Sequence, residues 1–181
     1  MGISERQWTV KTVADEETAA QLATELGIDR VLANLLVQRG VCTFEDARSF
    51  FRPRLEDLHD PFLMADMDKA VERVHEAIVN GEKILVYGDY DVDGTTAVAL
   101  VYSFIHRFTQ KVDFYIPDRY DEGYGLSYKG LDWAGDNGVN LVITLDCGIK
   151  AIDKVEYARA KGIEVIICDH HLPEDELPGA V

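Results

Sequence analysis

Three carboxylates at alternate positions, Asp89, Asp91 and Asp93, follow directly on the apolar run Ile84-Leu85-Val86-Tyr87. Packed carboxylates repel one another and resist losing water, so fold stability alone gives no reason to end a strand this way. Two later apolar runs end similarly: Leu141-Val142-Ile143-Thr144-Leu145 meets Asp146, and Val165-Ile166-Ile167-Cys168 meets Asp169-His170-His171. Carboxylate and imidazole donors gathered at strand ends are the ligands of hard or borderline divalent cations. Alone, Asp146 could simply cap the next helix. Beside the other two clusters it is the natural bridging ligand between two metals. Adjacent side chains of an extended segment point to opposite sides, so His170 is expected on a metal and His171 toward a phosphate oxygen or a supporting partner. Asp169 is then the acceptor that orients a ligand.

Other chemistries offered by these residues fail on spacing. Asp89-x-Asp91-x-Asp93-Gly94 opens like an EF-hand loop, but the twelfth position, where a bidentate acid belongs, is Leu100. Asp91-Val92-Asp93-Gly94-Thr95 resembles the opening motif of haloacid-dehalogenase-type phosphatases, whose nucleophilic Asp follows its strand immediately. Here Gly88-Asp89-Tyr90 intervenes. Arg119, in Pro117-Asp118-Arg119, could clamp a phosphate bidentately, and the glycines of Gly123-Tyr124-Gly125 permit close backbone approach. An exposed loop with one arginine is the plainer alternative. His59, His75 and His106 lie away from the strand ends and read as structural or solvated.

The elements that must deliver these residues follow from periodicity. Up to about residue 80 the pattern is helical: 15–26 closed by Gly27, 28–38 stopped by Gly40, 44–51 capped by Thr43 and broken by Pro53, and an amphipathic helix over 66–79 ended by Asn80-Gly81. A connecting loop is expected over 53–61. From Lys83 strands at 83–88, 111–116, 140–145 and 163–168 alternate with helices near 95–108, 127–136 and 149–161. Near-continuous apolar strands separated by helices predict an α/β fold, a parallel sheet with helices on both faces, preceded by a helical N-terminal segment. Such sheets bind ligands beyond the carboxyl ends of their strands, where all three clusters sit. The expected division is a helical segment over 1–65 and an α/β domain over 66–181. With no helix after the last strand, that domain looks truncated at its C-terminus.

The 181 residues, 47% hydrophobic and 28% charged, suit a soluble globular chain. No apolar stretch is long enough to span a bilayer and no basic-then-apolar leader is present, so a cytoplasmic protein without membrane contact is expected. Cys42, Cys147 and Cys168 have no metal-type spacing and read as reduced packing residues. The formal net charge of -15 repels a phosphate backbone. Two divalent cations offset only about +4 of it, locally. Nucleic-acid binding by these residues alone is therefore expected to be weak.

These motifs together resemble the DHH phosphoesterase superfamily, named for the triplet seen here as Asp169-His170-His171. Gly88-Asp89-Tyr90-Asp91-Val92-Asp93-Gly94 is similar to its single-strand-specific exonuclease branch, as are Gly123-Tyr124-Gly125, Thr144-Leu145-Asp146-Cys147-Gly148 and Leu58-His59-Asp60-Pro61-Phe62. The resemblance implies two Mn²⁺ or Mg²⁺ ions: Asp89 on one, Asp91 with His170 on the other, Asp146 bridging. Asp93 and Asp169 are then supporting residues, and His171 with Arg119 faces substrate phosphate. Some members carry a histidine two residues before the first Asp; Tyr87 stands there, which leaves one ion an extra water. The family uses a further Asp and a second domain beyond the triplet, neither within these 181 residues. The implied activity is a 5′-to-3′ exonuclease on single-stranded DNA, serving DNA repair and recombination, present as an incomplete fragment that is inactive alone. Two alternatives stay open: a phosphoesterase of short oligonucleotides or cyclic dinucleotides, and a non-catalytic replication scaffold.

Overall fold

A run such as Ile84-Leu85-Val86-Tyr87 holds β-branched, aliphatic and aromatic side chains at every position, so it is stable only where both faces of a sheet are covered. In the computed structural model, which describes residues 9, 11 and 15–181, that is its environment. Strands β1 (Ile84–Gly88), β2 (Val112–Tyr115), β3 (Leu141–Leu145) and β4 (Glu164–Cys168) form one parallel sheet in the order β2-β1-β3-β4. The central strands β1 and β3 are buried along their whole length.

Among the described residues seven α-helices accompany the strands: α1 (Glu16–Leu26), α2 (Arg30–Val37), α3 (Phe44–Phe51), α4 (Met67–Asn80), α5 (Val92–Ile105), α6 (Tyr128–Asp136) and α7 (Ile152–Ala160). Side-chain alternation sorts the sheet into two cores. Ile84, Val86, Ile143 and Ile166 pack with Ala77 of α4 and with Val98 and Ile105 of α5. Leu85, Tyr87, Val142 and Val165 pack on the other face with Leu131 and Ala134 of α6 and with Val155 and Ala158 of α7.

The chain divides into two compact units, Met1–Asp60 and Pro61–Val181. The first holds α1 to α3 around Ala19, Leu22, Ala33, Leu36, Val37, Val41 and Ala47, with Asp15, Asp29 and Thr43 as side-chain N-caps. The helical reading of the first residues falls, for 1–8, 10 and 12–14, outside the described residues. The second unit opens with a 3-10 turn at Pro61–Leu63 packed on α4, where the sequence placed the division after residue 65.

Three expectations need correction. The linker expected over 53–61 contains a 3-10 turn, Leu55–Asp57. Helix α5 starts at Val92 rather than at 95, because Asp91 caps it by accepting from the amides of Asp93 and Gly94, both at 3.0 Å. Helix α7 starts at Ile152 rather than at 149, because Gly148, at φ 110, puts the backbone into a conformation that favours glycine. At α5 the fit of helix to strand is tight. A Cβ at Gly94 would collide with the carbonyl oxygen of Asp89, and one at Gly88 would collide with Cγ2 of Val98. Glycine at both positions lets the start of α5 lie directly against the backbone of the first carboxylate.

Candidate metal centre

The sheet order brings two of the clusters together. From β1 the chain crosses one way to β2 and the other way to β3, so the order reverses between β1 and β3. Gly88 pairs with Leu145 there, so the next residues, Asp89 and Asp146, leave neighbouring strands side by side. This is the crevice at which open parallel sheets bind ligands. On the other side Leu145 pairs with Cys168, and the Asp146 amide donates to Cys168 O at 2.8 Å, which carries the alignment on to Asp169.

Asp146 has φ 60, a left-handed backbone that costs about 1 kcal/mol and that Asp tolerates better than most residues. Its carboxylate accepts from or ion-pairs with His170, Oδ1 to Nε2 at 3.0 Å. His171 Nδ1 lies 2.7 Å from Asp169 Oδ1. Asp146, His170 and His171 each offer one ligand atom, and those atoms all lie within 4.8 Å of one another. The expectation that the imidazoles point to opposite sides is therefore corrected: their ring centroids are 4.8 Å apart. Strand β4 ends at Cys168, and the His171 amide folds back to donate to Asp169 Oδ1 at 3.1 Å, so the alternation of extended backbone does not apply. Asp169 orients His171 rather than His170, and its second oxygen accepts the amide of Ile149 at 3.0 Å.

Asp89 is fully buried. One carboxylate oxygen accepts the Gly125 amide at 3.1 Å; the other, Oδ2, is buried with no hydrogen-bond partner. A buried carboxylate oxygen left unpaired is costly unless a cation meets it, so this orphan atom fits a metal ligand. Asp91 is exposed at the start of α5 with one oxygen committed to its cap, and Asp93 lies exposed in the first helical turn. Neither belongs to the Asp146-His170-His171 group.

The segment 117–127 roofs the crevice, and the sequence reading undervalued it. Tyr124 donates its hydroxyl to the backbone carbonyl of Asp146 at 2.9 Å and lies 3.4 Å from His171 Nε2. Its ring meets that of Tyr90 edge-on at 6.2 Å, and the Arg119 guanidinium sits over the Tyr90 ring at 5.2 Å. Arg119 is exposed and is linked to the centre through that aromatic pair. The pattern Gly123-Tyr124-Gly125 was the available signal. A tyrosine between two glycines with φ of 79 and 77 is a side chain delivered by an otherwise unadorned backbone.

One field ties the strand ends together. Burial pushes the Cys147 thiol up to about 12, helped by Asp169, Asp89 and Asp146. Burial also raises the Tyr124 hydroxyl to about 12, with Asp146, Asp89 and Asp169 among the contributing charges. All three strand-end carboxylates therefore act on the same two groups. Cys147 stays a protonated, buried packing residue.

Burial works to raise the Asp169 carboxyl, but the amides of Ile149 and His171 and the His171 ring outweigh it and hold the group below its ordinary value. The bond to Asp169 raises His171 above its ordinary value. A raised His stabilises fully below its unfolded value of 6.5 and loses that contribution as pH rises through the folded value. A depressed Asp stabilises above its unfolded value of 3.8 and loses that contribution as pH falls through the folded value. The pair therefore contributes most between those two values. In metal-free protein, urea unfolding of His171→Asn should show a deficit against wild type at pH 5 to 6 that shrinks above pH 7. A pH-independent deficit would contradict the pairing.

A profile of the DHH family, N-terminal domain, matches residues 83–181, more than half of the chain. The chain belongs to the DHH family. That match spans the sheet and all three DHH-type clusters of this chain. The single-stranded-DNA-specific exonuclease RecJ of Bacillus subtilis is 40% identical over 175 residues, covering 97% of this chain and 22% of that protein. The RecJ of Escherichia coli is 42% identical over 118 residues, covering 65% of the chain and 20% of the relative. The chain thus spans about a fifth of the length of these curated relatives. A crystal structure of exonuclease RecJ bound to manganese superposes with a TM-score of 0.58 at 33% identity, over 62% of this chain and 29% of that one. RecJ of Thermus thermophilus in complex with Mn²⁺ superposes with a TM-score of 0.68 over 96% of the chain and 24% of that one; at 24% identity it shows the shared fold.

Proposed function

We propose that this DHH chain is the N-terminal, metal-binding part of a RecJ-type exonuclease that hydrolyses single-stranded DNA from its 5′ end and releases nucleoside 5′-phosphates. The observation that carries this reading is the buried Asp89, with one oxygen unpaired, beside the Asp146-His170-His171 group at the switch point of the sheet. The donor set of carboxylate oxygens and imidazole suits Mn²⁺ and Mg²⁺, with Mn²⁺ favoured by the imidazole. Asp89, Asp91, Asp146 and His170 would hold two such ions, Asp146 shared between them. We assign residues 66–181 to the DHH phosphoesterase domain and 1–65 to a helical segment before it.

Bound there, the ions supply a water activated at neutral pH and charge neutralisation on the phosphate oxygens. The chain's own residues do the positioning. Asp169 fixes the His171 ring, whose Nε2 side faces Tyr124 and the open crevice, so His171 is the group to meet a phosphate oxygen. Arg119, stacked on Tyr90 at the rim, is suited to a second phosphate contact. Asp93, two residues after Asp91, and Asp169, through the His171 ring, are the supporting carboxylates. No protein nucleophile is required. Repair and recombination are the processes such an activity serves, in the cytoplasm, with DNA as partner. Because of the -15 charge, residues 1–181 alone should bind DNA weakly and show little activity.

The test uses the full-length protein with 5′-labelled single strands. Mn²⁺-dependent release of mononucleotides, abolished by chelator and faster than on a dinucleotide, is the expected result. Preference for the dinucleotide would replace the exonuclease with a short-substrate phosphoesterase, and no hydrolysis of either would favour a scaffold.

A further inference from the structure

Tyr87 carries the last side chain of strand β1, two residues before Asp89, and that side chain is fully buried and turned into the core under α6. All three polar contacts of its hydroxyl are with one loop. It donates to Gly125 O at 3.0 Å, lies 3.3 Å from Ser127 Oγ, and accepts the Ser127 amide at 3.1 Å. Gly125 is also the residue whose amide donates to Asp89 Oδ1. The hydroxyl therefore grips the carbonyl of the residue whose N–H occupies half of the first carboxylate.

The grip is rigid. The Tyr87 ring stacks on Tyr115 at 5.3 Å and 17°, and a Cβ at Gly130 would come within 2.7 Å of Tyr87 Cε2. Tyr115 donates its hydroxyl to Glu122, whose carboxylate also accepts from the Asp118 amide and from Ser127 Oγ. The loop is thus pinned along its length, with Arg119 and Tyr124 on it. Burial keeps the Tyr87 phenol protonated well above its ordinary range, so it remains a donor.

We propose that Tyr87 is a positioning residue of the metal centre: its hydroxyl sets loop 117–127 so that the Gly125 amide orients Asp89 and leaves Oδ2 for the cation. This rests on the reading of Asp89 as a metal ligand. A hydrogen-bonded support of this kind changes metal affinity by about 10–100-fold when removed.

The experiment is a calorimetric Mn²⁺ titration of the full-length protein, wild type against Tyr87→Phe, with Ile105→Ala as a core variant that destabilises the opposite face of the sheet. Mn²⁺ affinity should fall about 10-fold or more in Tyr87→Phe and stay within about 2-fold in Ile105→Ala. Unchanged affinity in Tyr87→Phe, with Asp89→Asn impaired, overturns the positioning role and leaves the metal reading standing. Unchanged affinity in Asp89→Asn overturns both. Should Tyr87→Phe not fold, amide hydrogen exchange on wild type decides. Saturating Mn²⁺ should slow exchange at Gly125 and Ser127, since loop order and metal binding are reciprocally coupled. Unaltered exchange there overturns the proposal.

Discussion

Asp146→Ala in the full-length protein is expected to cut degradation of single-stranded DNA roughly 10³-fold, equivalent to about 4 kcal/mol of transition-state stabilisation. Three features of Asp146 argue for an effect this large. It leaves β3 beside Asp89 at the point where strand order reverses, so it is the carboxylate placed to serve both donor groups. Its side chain contacts His170, and its backbone carbonyl receives the Tyr124 hydroxyl. It is also one of two described non-glycine residues at positive φ, the other being Asp66, and alanine is no more at ease there than Asp. Alanine should therefore also cost about 1 kcal/mol of fold stability, a loss that urea unfolding reads separately from the lost ligand. Steady-state rates at saturating Mn²⁺, with urea unfolding as a control, check this. A variant within about 10-fold of wild type would remove the bridging role.

Asp89→Asn has a paired signature. The unpaired Oδ2 of a fully buried carboxylate destabilises the metal-free fold, and the amide is neutral with nearly the same shape. The variant should be more stable than wild type in chelator, by about 1–3 kcal/mol, because the uncompensated buried charge is gone even though the amide NH2 takes the unpaired place of Oδ2. It should also lose most of its Mn²⁺ affinity, so that adding Mn²⁺ stabilises wild type and not the variant. Urea unfolding of both proteins, with and without Mn²⁺, reads the two effects together. A variant less stable than wild type in chelator would mean that Asp89 is structural and that the amide of Gly125 satisfies it.

The parallel sheet was legible because β1, β3 and β4 are short apolar runs that meet glycine, asparagine or acids, and such runs have few other places to go. The strand ends were legible for the same reason: Asp89, Asp146 and Asp169 are simply the next residues. Local chemistry at those ends was harder to read. Asp91 has the composition of a ligand, but its spacing to Gly94 also makes an N-cap, and the cap drew the start of α5 back to Val92. The two imidazoles share a side because the chain stops being a strand at Cys168, a boundary that alternation cannot locate. Tyr87, Gly125 and Tyr124 were hidden for a different reason. Their contacts join residues 38 and 22 positions apart, and no periodicity reports a hydrogen bond across that distance.

The most direct measurement is an anomalous difference map at the manganese edge from crystals of the full-length protein soaked in Mn²⁺. Two peaks are predicted, both in contact with the Asp146 carboxylate, one also touching Asp89 and the other His170. Density confined to surface acids, or a crevice without manganese at saturating concentration, would contradict the account.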